Sequence, residues 1–240
     1  MVLVRRVVLL LVILTCGVRA QQSAHDPDRL YADREHLQSA IAAANIWEAR
    51  LAKNPRDFES AWKLARNCYW LGGHVPEAER RKQFERGMDA AMKAIEIEPN
   101  RPEGHFWLAA DMGAMAEFFG LRQGIKYRGP IKKELETVLM IDPAFLEGSA
   151  DRALGRWYYR VPRLFGGSRD KSVEHLKRAL TYDPQSTATL YFLAETLVDM
   201  DKKDEAKRQL QAVLAAPLDP QWIPEDKEFK EKASALLKKL

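Results

Sequence analysis

TYDPQS at Thr181–Ser186, followed by LYFLAETLVDM at Leu190–Met200, is the stretch whose reading decides the fold. Leu190, Leu193, Ala194, Leu197 and Met200 recur at the spacing of one helical face. Leu176, Ala179 and Leu180 do the same before Pro184. Proline cannot continue a helix and turns the residue before it away from helical angles, so Pro184 is a corner between two helices. Working outward, the same ending appears in LAKNP at Pro55, IEIEPN at Pro99 and MIDPAF at Pro143. The four prolines stand 44, 44 and 41 residues apart. Each interval holds two helical patterns. After Pro55, Ala61, Leu64, Ala65, Cys68 and Leu71 form one stripe, and Gly72-Gly73 is expected to stop that helix. Leu108, Ala109, Met112 and Met115 follow Pro99, and Leu154, Gly155, Tyr158 and Val161 follow Pro143. No stretch alternates as a strand would. The chain reads as all-α, built from helical hairpins that each end in proline.

The spacing resembles the tetratricopeptide repeat (TPR), with an apolar residue, a small one, a third apolar position three later, and a second helix closed by proline. Leu193, Ala194, Leu197, Met200, Ala206, Leu210 and Val213 carry the resemblance without a gap. The first three units are expected to hold insertions of roughly five to ten residues between their helices, against the repeat length of about 34. The resemblance implies a superhelical solenoid of antiparallel hairpins over residues 30–225. It divides into a half repeat at 30–55 and units at 56–99, 100–143, 144–184 and 185–220. One helix is expected over Leu30–Lys53. A capping helix is expected over 226–240, its outer face carrying Lys227, Lys230, Lys232, Lys238 and Lys239. Two inserts, Gly104–Leu139 and Gly155–Gly167, are similar to two related groups: the T-component proteins of TRAP-type transporters and the regulators of microtubule dynamics.

Residues 1–20 resemble a secretory signal peptide, with Arg5 and Arg6 at the start, an apolar run from Val7 to Leu14, and Val18-Arg19-Ala20 at the end. Cleavage is expected after Ala20, followed by a flexible stretch at 21–29. That start fits the T-component group and implies an exported, periplasmic or secreted protein. Membrane association is expected only through a lipid on Cys16, and Thr15 stands where lipoprotein signals carry Gly, Ala or Ser. Three of the 38 basic residues lie in this segment and none of the 34 acids, so the remainder has 35 basic residues and a net charge of +1. Such a balance gives no footprint for a nucleic-acid partner.

FGGSRDKS at Phe165–Ser172 ends like a phosphate-binding loop, but that loop needs glycine at 165 and 170, where Phe165 and Asp170 stand. The stretch instead reads as a turn, with Ser168 or Asp170 capping the next helix and with Val161, Leu164 and Phe165 plugging the turn onto the core. His25, His36, His74, His105 and His175 show no metal spacing. Cys68, on an apolar face, reads as a buried small hydrophobe. Asp33/Glu35 and Asp201/Asp204 read as solvated carboxylates. No catalytic set, cofactor or metal is therefore expected, and the protein reads as non-enzymatic.

Stacked hairpins present rows of side chains on a concave face. Alignment of the units places Arg66, Ala110, Arg156 and Glu195 in one row. Tyr69, Gly113, Tyr159 and Val198 form a second, and Trp70, Ala114, Arg160 and Asp199 a third. Arg66, Tyr69, Trp70, Arg156, Tyr159, Arg160, Glu195 and Asp199 are the candidate binding residues, since aromatic and arginine side chains dominate binding hot spots. Gly113 and Ala114 are expected to leave a hollow between Tyr69-Trp70 and Tyr159-Arg160, the alternative being that Trp70 and Tyr159 pack against adjacent helices or the inserts. The insert Gly120–Lys133, with Arg122, Lys126, Tyr127 and Arg128, reads either as a solvated loop docked by Ile125 and Tyr127 or as a basic lip. The expected function is a scaffold that binds an envelope protein or peptide. The alternative is a T-component-like accessory holding a small organic ligand.

Overall fold

The computed structural model describes residues 26–240, and the signal peptide expected at 1–20, the cleavage expected after Ala20, Cys16 and His25 lie outside them. Among the described residues there are eleven α-helices and no strand. A short pair, α1 (Pro27–Ala32) and α2 (Leu37–Lys53), leads into four hairpins. These are α3 (Phe58–His74) with α4 (Glu77–Ile97), α5 (Pro102–Phe119) with α6 (Leu121–Ile141), α7 (Ser149–Arg160) with α8 (Arg169–Ala179), and α9 (Thr187–Asp199) with α10 (Lys203–Ala215). The last helix is α11 (Ile223–Leu237). Each of α2, α4, α6 and α8 ends within a few residues of the proline that follows it. The first helices of successive hairpins touch in turn, α3 on α5, α5 on α7, α7 on α9, and α9 on α11. This is an all-α TPR-like solenoid.

One apolar core runs from α1 through α7, around Trp47, Leu64, Leu71, Met112, Leu135 and Leu154. A second, around Leu176, Leu193, Leu197, Leu210 and Val213, joins α8 to α11. Cys68 is fully buried in the first. Trp222, just before α11, packs against the first core rather than the second. The C-terminal segment therefore bridges the two cores.

Several local readings are corrected by tertiary contacts. Gly72 and Gly73 lie inside α3 and do not stop it. A Cβ at Gly72 would come within 2.2 Å of the Phe84 ring, whereas one at Gly73 would meet nothing. Gly72 thus serves the close approach of α3 and α4. The extra residues of the first two units lengthen their helices to 17–21 residues, against 13 for each helix of the fourth. The insert Gly120–Lys133 is neither loop nor strand. Gly120, at φ 78°, makes the reversal alone, and α6 begins at Leu121 and runs through Pro130. Pro130 is exposed, so the carbonyl it leaves without a donor faces water rather than the core.

The helix expected over Leu30–Lys53 breaks at Asp33, whose carboxylate accepts hydrogen bonds from Ser39 Oγ and the His36 ring. Residues 26–29, expected to be flexible, begin α1, with the Asp26 side chain accepting from Asp28 N. In the α7–α8 turn only Val161 packs on the core. Leu164 and Phe165 are exposed, because the turn closes on its own backbone through Gly167 N to the Pro162 carbonyl and Ser168 N to the Tyr158 carbonyl. Ser168 does cap α8, its hydroxyl accepting from Lys171 N.

Asp111 is fully buried in α5, and neither carboxyl oxygen has a hydrogen-bond partner. A Cβ at Gly87 would lie 2.4 Å from its Oδ2, so that glycine opens the space it occupies. Burial raises its pKa well above the ordinary value, so the folded state favours the protonated group.

The packing at Gly72 sets up a contrast with its neighbour. Gly72→Ala is expected to lower stability by about 1–3 kcal/mol through overpacking against Phe84. Gly73→Ala should be neutral or stabilise by up to ~1 kcal/mol; urea unfolding of the two variants checks the contrast. For Asp111 the unfolded chain releases its proton near pH 4 while the folded chain holds it to higher pH, so stability falls as pH rises above that point. Melting curves of Asp111→Asn should gain on the wild type as pH rises above about 4, and a gap independent of pH would contradict a raised Asp111 pKa.

Candidate binding cavity

The inner wall of the solenoid is made by α3, α5, α7 and α9, and the segment from Pro217 to Lys232 crosses in front of it. Together they enclose a cavity of about 1410 Å³. The crossing is held at its far end by contacts almost the whole chain apart. Arg34 is buried, and its guanidinium donates from Nε to Glu225 Oε1 at 3.1 Å and from Nη2 to Glu225 Oε2 at 2.5 Å. It also donates to the carbonyls of Gln221 at 2.9 Å and Tyr31 at 3.3 Å. Lys227 Nζ reaches Glu35 at 2.8 Å. Asp226, also buried, accepts from Thr187 Oγ1 at 2.5 Å and from Asp219 N at 2.8 Å, tying α11 to α9. Lys230 donates to the carbonyls of Val213, Leu214 and Ala216 at the end of α10. The C-terminal helix expected as a cap at 226–240 thus begins at Ile223 and serves as a clasp.

His74 completes this clasp. Its ring stacks on Trp70 with centroids 3.6 Å apart. Nδ1 donates to the Trp70 carbonyl at 2.7 Å and Nε2 to Glu228 at 2.8 Å. Two acceptors require both ring nitrogens to carry protons, which is the imidazolium form. Burial opposes that charge, but the bonds to Glu228 and to the carbonyl outweigh it and raise the pKa. The same ion pair holds Glu228 below its ordinary value.

A hollow lies beside Ala110, Gly113 and Ala114, but between Tyr69 and Trp70 on one side and Arg156 and Arg160 on the other, not the Tyr159-Arg160 end expected. Glu195 also lines it. Arg66, Tyr159 and Asp199 lie outside the lining. Arg66 is covered by α1, stacked over Tyr31 at 3.9 Å and 3.8 Å from Asp28. Asp199 pairs with Arg169, whose guanidinium stands over the Tyr159 ring at 4.6 Å. Arg156 binds Glu117 at 3.2 Å and Glu195 at 2.6 Å, so it links α5, α7 and α9. Arg160 shares Glu117 at 3.2 Å. These charges form a ladder between repeats. Trp70 donates from Nε1 to the Arg34 carbonyl at 3.1 Å and is part of the clasp. Of the insert, Arg128 lines the cavity, Arg122 and Lys126 face outward, and Tyr127 turns to a small convex recess beside Met88 and Pro130.

The group that the row alignment missed is Arg152. It lines the cavity, and no carboxylate lies within ion-pair distance of it among the described residues. Burial lowers its pKa, while Tyr69, Asp183 and Glu147 are near enough to support its charge. It precedes Arg156 by four residues on α7, the spacing of one helix face, and that was the available signal. Tyr69 packs on Trp107 with centroids 5.8 Å apart. Its ring is 42% accessible, yet surrounding protein raises its hydroxyl pKa, as expected at the floor of a deep cavity. Tyr191, Phe192 and Trp222 supply further aromatic wall. Burial, then Asp183 and Asp219, raise the Glu147 carboxyl, so acids gather at the rim beside Arg152. The described residues contain no cluster of metal-binding side chains and no helix long and apolar enough to cross a membrane.

Residues 24–240 match the model of the family described as regulator of microtubule dynamics protein 1-3. Regulator of microtubule dynamics protein 1 from Bos taurus is 24% identical over 204 residues, which are 78% of this chain and 63% of that protein. The chain therefore spans less than two thirds of that relative's length. Among solved structures, TTC0263, a thermophilic TPR protein in Thermus thermophilus, aligns with a TM-score of 0.67 at 22% identity, over 89% of this chain and 98% of that one. MamA aligns with a TM-score of 0.50 at 13% identity, over 85% and 95% of the two chains. At these identities the structural likeness shows the TPR fold alone.

The clasp carries its own pH dependence. A raised histidine pKa contributes stability below the unfolded value near 6.5 that is lost as pH rises through the folded value. A lowered glutamate pKa contributes stability above its ordinary value near 4.3 that is lost as pH falls. The His74–Glu228 contribution is therefore fullest between about pH 4.5 and 6.5. Amide exchange in residues 217–232 should speed up in His74→Gln most within that window, and the difference from wild type should shrink by pH 9.

Proposed function

Because the chain belongs to the regulator of microtubule dynamics protein 1-3 family, a helical-repeat family, we propose that it is a non-enzymatic scaffold that holds an extended segment of a partner protein in its central cavity. The observation that carries this reading is the cavity itself. Its volume exceeds the roughly 300–1,000 Å³ typical of small-molecule pockets. Its walls are aromatic, and Arg152 offers donors to a carboxylate without first breaking an ion pair. Acids at the rim beside Arg152 suit a chain bearing charges of both signs. On the strength of the first twenty residues we place the protein in the cell envelope. The net charge gives no reason to invoke a nucleic acid.

The second reading is a T-component-like accessory that holds a small organic solute for a TRAP-type transporter. The enclosure of the cavity by Trp222 and its neighbours supports it, and so does the leader sequence. Native mass spectrometry separates the two, since a solute would travel with the purified protein and a peptide segment would not.

A library of peptides with internal and C-terminal carboxylates, screened against the full chain, tests the favoured reading. Arg152→Leu should weaken any retained peptide about ten- to a hundredfold, the effect of losing a hydrogen bond to a charged group. An unchanged affinity at an unchanged melting temperature would remove the cavity from the binding surface.

A further inference from the structure

We infer that one edge of the solenoid is a docking surface for an anionic lipid bilayer. Five of the eleven exposed large hydrophobic side chains among the described residues, Phe118, Leu121, Ile125, Leu164 and Phe165, gather at the turns of the second and third hairpins. Leu164 is 87% exposed and Leu121 is 69% exposed, values that no folding role explains. The two turns form one lip. The Arg128 guanidinium stands 5.4 Å from the Phe165 ring, and the Trp157 indole donates to the Arg128 carbonyl at 2.9 Å. The α7–α8 turn holds Leu164 outward through its closed backbone, so the exposure is built in.

The lip carries an excess of cations, with Glu117, Glu134 and Asp170 at its borders. Phe118–Lys133 and Arg160–Arg169 contain Arg122, Lys126, Arg128, Lys132, Lys133, Arg160, Arg163 and Arg169 and not one acidic residue. Lys132, Arg160 and Arg169 have carboxylate partners, Glu136, Glu117 and Asp199. No carboxylate partner reaches Arg122, Lys126, Arg128 or Arg163 among the described residues.

Protruding apolar tips inside a ring of unpaired cations match a bilayer interface. Leucine and phenylalanine enter the boundary of the acyl chains while arginine and lysine reach anionic headgroups. A protein partner would instead seat a buried aromatic anchor, whereas Leu164, the most exposed of these tips, projects from a turn outside the cavity lining. A bilayer needs no shape match. Phe118, Leu121, Ile125, Phe165 and Arg128 also line the cavity, so the lip stands at its mouth, whereas Leu164, Arg122 and Arg163 lie outside the lining, and changes at those three separate docking from binding within the cavity.

Co-sedimentation of the full chain with vesicles tests it, using phosphatidylcholine alone and phosphatidylcholine with about 30% phosphatidylglycerol. Every variant keeps the apolar run at residues 7–14, so differences between variants report the lip. Binding to the anionic vesicles is expected to be at least about tenfold tighter than to the neutral ones and to weaken with salt. Leu164→Glu, outside the cavity lining, should lose about tenfold on anionic vesicles. Arg122→Glu/Arg163→Glu should lose both affinity and salt dependence. Met140→Glu, which alters an exposed side chain at the far end of α6 from the lip, should bind as wild type. Melting temperatures confirm that all variants fold. Equal binding by the lip variants and the wild type overturns the proposal, as does a wild type that treats the two vesicles alike. Retention of a soluble acidic protein through the lip, without vesicle binding, would assign the surface to a protein partner instead.

Discussion

Arg34 sits in the interior with five N–H donors to satisfy, and its position dictates much of what surrounds it. A buried guanidinium is tolerated only where carboxylate and carbonyl oxygens converge on it. Here the convergence draws Glu225 and the Gln221 carbonyl from the far end of the chain. It requires the helix to break at Asp33, so that Arg34 can turn inward beneath the Tyr31 and Trp70 rings. It carries Trp222 onto the first core, and it holds Glu228 where His74 can meet it. The cavity follows from the same contact. Without it the inner helices would face an open groove, and α11 would be an ordinary terminal helix on α10.

The local grammar of the chain was legible. Pro55, Pro99, Pro143 and Pro184 each act through their own ring and missing donor, which no tertiary contact can restore, so the hairpin count and the repeat resemblance follow from spacing. Gly72 shows where local grammar fails. Glycine disfavours a helix and also permits another helix to approach, and only the Phe84 ring decides between the two. Gly120–Lys133 misleads for a related reason. Three glycines and a proline look like a loop, yet only Gly120 turns the chain, and α6 continues through Gly124, Gly129 and Pro130 to bury one face at Ile131, Leu135 and Val138.

The candidate site was half legible. Tyr69, Trp70, Arg156, Arg160 and Glu195 reach the cavity because repeat positions translate directly into facing positions. Arg66, Tyr159 and Asp199 share those positions but are taken up by α1 or by Arg169, which lie outside the repeat register. Arg152 escaped because one helical turn more of α7 faces inward than a three-row alignment allows. The clasp residues Arg34 and Glu225 lie 191 positions apart, beyond the reach of any periodicity.

A solenoid with free ends can gain or lose a unit and still stack, because each repeat needs only its neighbours. This one joins its last helix to its first, and the ends meet only if the intervening hairpins turn the chain through the correct arc. Adding or deleting one repeat would carry Glu225 away from Arg34 and strand a buried charge. The ion pair therefore makes the number of repeats a closed quantity, as it is in a propeller. It also lets strain introduced in any one hairpin be felt across the seam on the opposite side.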